Sequence, residues 1–141
     1  MVAPSKFNFY TPDMRRSALT LLVATLLLAG CDSVDNQVLL NAAHNGIATE
    51  VTVSGTVTEL LADFQGPDGH HQAFDLNVDG LIVEIDHNID LAPRVPLQIS
   101  EQVVVQGQFE PDPGHPIIHY THHATGQHVG GYIQAGGQTY E

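Results

Sequence analysis

Nine histidines are the residues of this sequence best suited to chemistry, and eight of them fall between His70 and His128. The densest group lies in residues 115–128, which read HPIIHYTHHATGQH. Imidazole is a common ligand of zinc and copper, and several rings must converge within about 2.1 Å of one ion. This segment therefore raises the hypothesis of a site for zinc or another divalent transition metal.

The spacing within this segment selects which imidazoles could act together. On a β-strand, side chains alternate between two faces, so His119, Thr121 and His123 would share one face while Tyr120 and His122 point to the other. No complete zinc signature is present, and histidines that hydrogen-bond nearby carbonyls and carboxylates are the alternative. We take His119 and His123 as the first candidate ligands. Further ligands would come from His71, His87, His122 and His128.

A second constellation lies in residues 86–94, which read DHNIDLAPR. A lone guanidinium among many carboxylates is expected to be held by one of them, and Asp90 lies four residues before Arg94 in a turn closed by Pro93. Such a pair would latch this connector to the rest of the fold, whereas the functional alternative is that Arg94 receives an anionic group of a ligand. The candidate ligand-binding residues are His71, Asn88, Asp90, Arg94 and Tyr120.

Residues 14–31 read MRRSALTLLVATLLLAGC, with two arginines ahead of an apolar run over residues 18–28. This run is typical of a secretory signal and is too short for a transmembrane helix, which needs about 20 residues. The segment ends in LAGC, which resembles the lipobox of bacterial lipoproteins. We therefore expect residues 1–30 to be a signal peptide and Cys31 to carry a lipid that tethers the exported chain to a membrane of the cell envelope, facing the periplasm. Residues 1–13 precede a complete signal and are a candidate misassigned start.

Charge narrows the classes of partner. Residues 31–141 keep fifteen of the sixteen acidic residues but only Arg94 of the four basic ones, which leaves a formal charge of −14. A field of this sign repels phosphate backbones, so binding of nucleic acid through a basic surface is disfavoured.

The elements that must position these residues follow from periodicity. For residues 31–49 we predict a lipidated tether followed by a short helix. The apolar residues Val38, Leu39, Ala42 and Ala43 would lie on one stripe of this helix, and Asn45-Gly46 would end it. From residue 50 the period changes to two, and β-branched strands alternate with turns such as Gly66-Pro67-Asp68-Gly69 and Asp79-Gly80. Residues 50–141 thus predict one His-rich β domain.

Five or six short strands, with the longest connection after the third, fit a small closed barrel. The patterns around Gly55 and Gly107 are similar to the first and fourth strands of an OB-type barrel, where glycines allow sharp bends. We therefore predict an all-β fold, a small OB-like barrel of five to six strands with a short N-terminal helix. A β-sandwich is the alternative architecture.

The segments HQAF, HNIDLAPRVP, HYTHH and GGYIQAGGQTY resemble a family of small, secreted, functionally uncharacterised bacterial proteins marked by an HWTH motif, often followed by H-D-P. The resemblance covers about residues 50–140 and implies no activity. This chain has Tyr120 where that family has Trp, and Ala124 where it often has Asp, so a role of that Asp would be missing here. The positions singled out by the resemblance are His71, Phe74, His87, Asn88, Asp90, Arg94, His119, Thr121, His122, His123 and His128.

Two functional hypotheses follow, and the first is a non-catalytic binding domain that takes a small ligand, a divalent metal or both through its His and Arg94 surface. The second is a metal-dependent hydrolase in which His87, His119 and His123 hold the ion and Asp86 or Asp90 acts as general base. Against catalysis, no serine has the G-x-S-x-G setting of a nucleophile. A third hypothesis, a structural module of the envelope, requires the histidines to be scattered in space.

Overall fold

This computed structural model describes residues 33–141, which contain one helix and eight strands. The predicted signal peptide and Cys31 lie outside them. Within this described part, no helix is long and apolar enough to cross a membrane. The elements are α1 (Asn36–Asn45), β1 (Thr49–Leu60), β2 (Phe64–Gly66), β3 (Gly69–Val78), β4 (Leu81–Asn88), β5 (Gln102–Glu110), β6 (Ile117–His119), β7 (Tyr132–Ala135) and β8 (Gln138–Tyr140).

Five of these strands close into a barrel in the order β1, β3, β4, β6, β5 and back to β1. The β4–β6 pair is parallel, and the other four pairs are antiparallel. β2 extends the sheet beside β3, and the β7–β8 hairpin adds to β5. This arrangement confirms the predicted small OB-like barrel with a short N-terminal helix and excludes the sandwich.

Closure depends on β1, which pairs with β5 along its first part and with β3 along its second. The β1–β3 pairing contains an irregularity between Val57 and Glu59. A Cβ atom at Gly55 would clash with the backbone oxygen of Asn77, and one at Gly107 with that of His119. Glycine is needed at both positions because neighbouring strands approach too closely for a side chain.

The helix closes one end of the barrel. Asp35 caps it by accepting a hydrogen bond from the Gln37 N–H, and Gly46 ends it in the left-handed conformation. Leu39 and Ala42 are buried as predicted, whereas Val38 is exposed. The side chain of Asn36 fixes α1 to β1, since its amide donates to the Ser54 carbonyl and its oxygen accepts from the Ser54 N–H.

Alternating residues of the barrel strands fill the interior. The inward side chains are apolar along most of each strand. Buried polar side chains such as His87 and Thr121 take their place towards the end of the barrel opposite α1. Burial of this apolar surface supplies the main stabilising free energy. The buried side chains include Val51, Val53, Val57, Phe74, Leu76, Val83, Ile85, Val103, Val105, Phe109, Ile118 and Ile133.

Candidate functional site

His87 closes the end of the barrel opposite α1. Its side chain is fully buried, and its Nε2 lies 3.0 Å from the Pro93 carbonyl, which can only accept. Nε2 therefore carries the proton, and Nδ1 accepts from the Thr121 hydroxyl at 2.8 Å. Burial lowers the pKa of His87, so the ring is neutral at pH 7. Because both ring nitrogens are used, His87 is a structural link and not a free metal ligand.

The connector over residues 89–101 is fastened a second time by Gln72. Its amide donates to the Val95 carbonyl at 2.8 Å and accepts from the Val95 N–H at 2.9 Å, and both groups are buried. Gln72 was not predicted from the sequence. Its signal was present, because Gln72 shares the inward side of β3 with Phe74 and Leu76 and is the polar member of that stripe.

Arg94 bonds a different acid from the one predicted. Its guanidinium contacts both carboxylate oxygens of Asp63, in the loop between β1 and β2, and the two side chains are 50% and 43% exposed. Asp90 instead accepts from the His70 N–H at 2.9 Å. The predicted Asp90–Arg94 pair is therefore wrong, because Asp90 is hydrogen-bonded to His70 of hairpin β2–β3. Arg94 still latches the connector, but as a surface ion pair.

Two other predicted ligand residues hold the tip of hairpin β2–β3. Asn88 is buried, donates to the Asp68 carbonyl and accepts from the Asp90 N–H, each at 3.0 Å. His71 is also buried and stacks on Phe64 at 5.0 Å between ring centroids, while its Nδ1 lies 3.0 Å from the Gly69 carbonyl. These contacts give both residues a structural role.

Strand β6 ends at His119 because Tyr120 adopts the left-handed conformation, with φ of 56°. The two-residue alternation stops there, so the predicted shared face of His119, Thr121 and His123 is wrong. Thr121 is buried against His87 and His122 is 2% exposed, whereas His123 is on the surface.

The residues after β6 form a stack of rings instead. Tyr120 lies between His119 and His128, with ring centroids at 3.9 and 4.2 Å. His122 meets the ring of His128 edge-on at 4.8 Å. Four of the predicted residues are thus brought together, but by aromatic contact and not around a common ion.

In residues 33–141, no group of three or more His, Cys, Asp or Glu side chains is arranged to hold a metal ion. The set proposed from the sequence, His119 and His123 with His87 or His71, is not assembled, since His87 is bonded to Thr121 and the alternation has failed at Tyr120. The hypothesis of a metal-dependent hydrolase relied on three of these ligands, His87, His119 and His123, which are not arranged around a common ion.

The outer face of β4 and β6 carries a feature that the sequence did not reveal. Glu84 pairs with Ile117 in the parallel register, which places Asp86 and His119 two residues further on at corresponding outward positions. Both side chains are partly buried. On the other side of β4, the residue opposite Asp86 is Ala73, whose methyl group leaves the carboxyl uncovered by a longer side chain.

Asp86 and His119 each bury a polar atom that has no hydrogen-bond partner. Of the buried side-chain nitrogen and oxygen atoms in the described residues, three lack a partner: Asp86 Oδ1, His119 Nε2 and Gln106 Oε1. His119 Nε2 is 3.6 Å from a Glu110 oxygen, close enough for an ion pair when the ring is protonated but longer than a normal hydrogen bond. Such atoms cost free energy and are rare, so two at neighbouring positions mark a site where a ligand would supply the missing bonds.

Electrostatics leave this pair weakly charged at neutral pH. Burial, reinforced by the charge and hydrogen bond of Glu84 and the charge of Asp68, raises the pKa of Asp86 to about 7. Burial lowers the pKa of His119 despite the nearby Glu110. The raised pKa favours the protonated form of Asp86 beside a neutral imidazole, and the two groups together offer a hydrogen-bond donor and acceptors.

The comparisons with known proteins agree with a functionally uncharacterised family. A family model described as "Protein of unknown function (DUF3465)" matches residues 21–141. No curated protein matches the sequence. That the HYTH and HNIDLAPR motifs are characteristic of this family stays a prediction.

Proposed function

The chain belongs to the DUF3465 family of proteins of unknown function, and we propose that it is a non-catalytic binding domain of the cell envelope, tethered to a membrane by lipid on Cys31. Its binding face is the outer surface of β4 and β6 around Asp86 and His119. The observation that carries this proposal is the pair of buried, unpartnered atoms, Asp86 Oδ1 and His119 Nε2.

The position of the pair supports a binding role. In OB-type barrels, ligands such as oligonucleotides and oligosaccharides bind at the face of the second and third barrel strands and the loops beside it. Those strands are β3 and β4 here, and Asp86 lies on β4. This support is an analogy of fold, and the unpartnered atoms give it chemical content.

The ligand that fits best is a small uncharged molecule rich in hydroxyl groups, such as a sugar. Phosphates and carboxylates are disfavoured because Asp68, Glu84 and Glu110 surround the pair. A hydroxyl group donates to an ionised Asp86 and accepts from a protonated one, so it satisfies either state. Phe64, 38% exposed on hairpin β2–β3, offers an apolar ring near this face.

The tether is supported by the signal sequence and by its length. Asp35 is fixed to the barrel through its N–H, which donates to the Thr52 carbonyl at 2.9 Å. Four residue steps separate Cys31 from Asp35 and span at most about 14 Å. A lipid on Cys31 would therefore hold the α1 and β1 side of the domain next to the bilayer.

Ligand binding is tested on isotope-labelled residues 33–141 by amide NMR. Neutral mono- and disaccharides are titrated beside amines and carboxylates of similar size. We expect the sugars to shift amides of residues 84–88 and 117–121, and Asp86→Ala to abolish the shifts. Asp79→Asn, at the distant β3–β4 turn, is the matched control. Shifts caused by carboxylates alone, or sugar shifts that survive Asp86→Ala, would contradict the proposal.

Lipidation is tested separately by following labelled palmitate in a bacterial host. The wild-type chain should incorporate the label and fractionate with membranes, and Cys31→Ser should do neither. A label that persists in Cys31→Ser, or a wild type that never carries it, would remove the tether from the proposal while leaving the binding face untouched.

A further inference from the structure

A groove of about 270 Å³ lies on the side of the barrel at the connector. Its floor is β3 at Gln72 and Ala73, and its two walls are the end of β1 with the following loop and the connector. Its apolar lining consists of Leu60, Leu61, Ala73, Val95, Pro96 and Leu97.

Arg94 stands in this groove and is the only Lys or Arg in residues 33–141. It reaches from the connector to Asp63 on the opposite wall. A guanidinium has five N–H donors, and Asp63 accepts from Nη1 and Nη2. Because half of the Arg94 side chain is exposed, donors remain for a second carboxylate.

We propose that this groove binds a small amphiphilic carboxylate, with its alkyl part on the apolar lining and its carboxylate on Arg94. Elsewhere the acidic surface of the described residues repels anions, and only here does a cation adjoin apolar surface. The groove is slightly smaller than the roughly 300 Å³ at which pockets for drug-sized ligands begin, so a small molecule is the fitting occupant. The groove adjoins the face around Asp86, because Ala73 on its floor is opposite Asp86, but its cation and apolar walls are not part of that face. The proposal does not depend on the function proposed for that face.

The groove does not depend on the ion pair for its shape. Gln72 fixes the connector wall through Val95, and the Leu61 N–H donates to the Ala73 carbonyl at 3.0 Å to fix the other wall. Variants of Arg94 and Asp63 should therefore keep the groove while changing its charge.

The two partners of the ion pair should have opposite effects on binding. Arg94→Met removes the cation, whereas Asp63→Asn removes the carboxylate that competes for the same donors and repels the ligand. We expect hexanoate to bind the wild type weakly, Arg94→Met to bind at least about tenfold more weakly, and Asp63→Asn about three- to tenfold more tightly. Arg94→Lys, which keeps the charge and loses the fork, should fall between wild type and Arg94→Met.

The experiment follows amide shifts of residues 60–63 and 94–97 with hexanoate, hexanol and hexylammonium, which share one chain length. Asp79→Asn controls for the change in net charge, and the unperturbed spectrum reports the fold. Tighter binding of hexanoate by Asp63→Asn than by Asp79→Asn supports the site. Equal binding by these two variants, equal shifts with all three probes, or no shift with hexanoate at about 10 mM would overturn it. Asp86→Ala should lose the sugar shifts but still bind hexanoate, and adding Arg94→Met to it should weaken that binding as in the wild type, which separates this test from that of the sugar face.

Discussion

His87 and Thr121 share a buried hydrogen bond of 2.8 Å although 34 residues separate them in the chain. Together with the bond from His87 to the Pro93 carbonyl, it joins the connector to the segment that follows β6. One neutral imidazole thus links the segments at the polar end of the barrel. Substitution of this ring or of its partner should lower the free energy of unfolding.

Thr121→Val should lower the free energy of unfolding by about 1 to 3 kcal/mol, because the valine keeps the shape but leaves His87 Nδ1 buried without a donor. Urea denaturation at pH 7.5 measures the change. Thr125→Val, which removes an exposed hydroxyl near His128, should cost less than about 0.5 kcal/mol. Equal losses in the two variants would show that the buried bond contributes nothing specific.

Acid should destabilise the fold through its buried histidines. Burial lowers the pKa of His87, and also those of His119 and His122, below the ordinary value of 6.5. The folded state binds these protons less well than the unfolded state, so the stability they contribute is present above pH 6.5 and is lost as pH falls through the folded-state pKa values. Urea midpoints between pH 7.5 and 4.5 measure the loss. His87→Gln should start less stable and show a shallower slope, and an unchanged slope would show that other groups cause it.

Asp86 should have the opposite dependence. Its folded pKa of about 7 is above the ordinary value of 3.8, so its neutral form is favoured and its contribution is lost as pH rises through 7. Asp86→Asn should therefore be more stable than wild type at pH 8 by about 2 kcal/mol, less than the full shift because the carboxyl is partly solvated, and the difference should shrink towards pH 4. Thermal or urea unfolding at both pH values measures it. A constant difference would mean that ionisation of Asp86 is not its cause.

The two fastenings of the connector should differ in strength. Gln72→Met should cost about 2 to 4 kcal/mol because it leaves both backbone groups of Val95 buried and unpaired. Arg94→Met should cost less than about 1 kcal/mol because its ion pair with Asp63 is half-exposed. Urea denaturation of both variants under one condition makes the comparison, and the reverse order would contradict it.

Periodicity was enough to predict the barrel because buried and less buried positions alternate along β5 and along most of β1 and β4. The same rule failed at Tyr120, where a single left-handed residue ended β6 and separated the imidazoles that alternation had placed together. No local pattern marks a non-glycine residue for this conformation.

Long-range partners were the other part that the sequence could not give. Asp90 was predicted as the partner of Arg94 because it is near in the chain. Asp63, the observed partner, is 31 residues away and lies beside Arg94 only in the folded structure. The unpartnered atoms of Asp86 and His119 were equally hidden, because they depend on the parallel register of β4 and β6. Gln72 is different, since a polar residue in an inward stripe could have been noticed.

The pairing that closes the barrel, Thr49 with Phe109 through Thr56 with Gln102, also sets the order in which the chain can fold. Contacts between such distant segments require the loss of loop-closure entropy before they stabilise anything, so we expect folding on a timescale of about milliseconds to seconds, after the local β3–β4 hairpin. A chain that crosses a membrane from its N-terminus would have no partner for the first part of β1 until β5, residues 102–110, has followed. If the chain is exported as proposed, the barrel closes only after β5 has crossed the membrane.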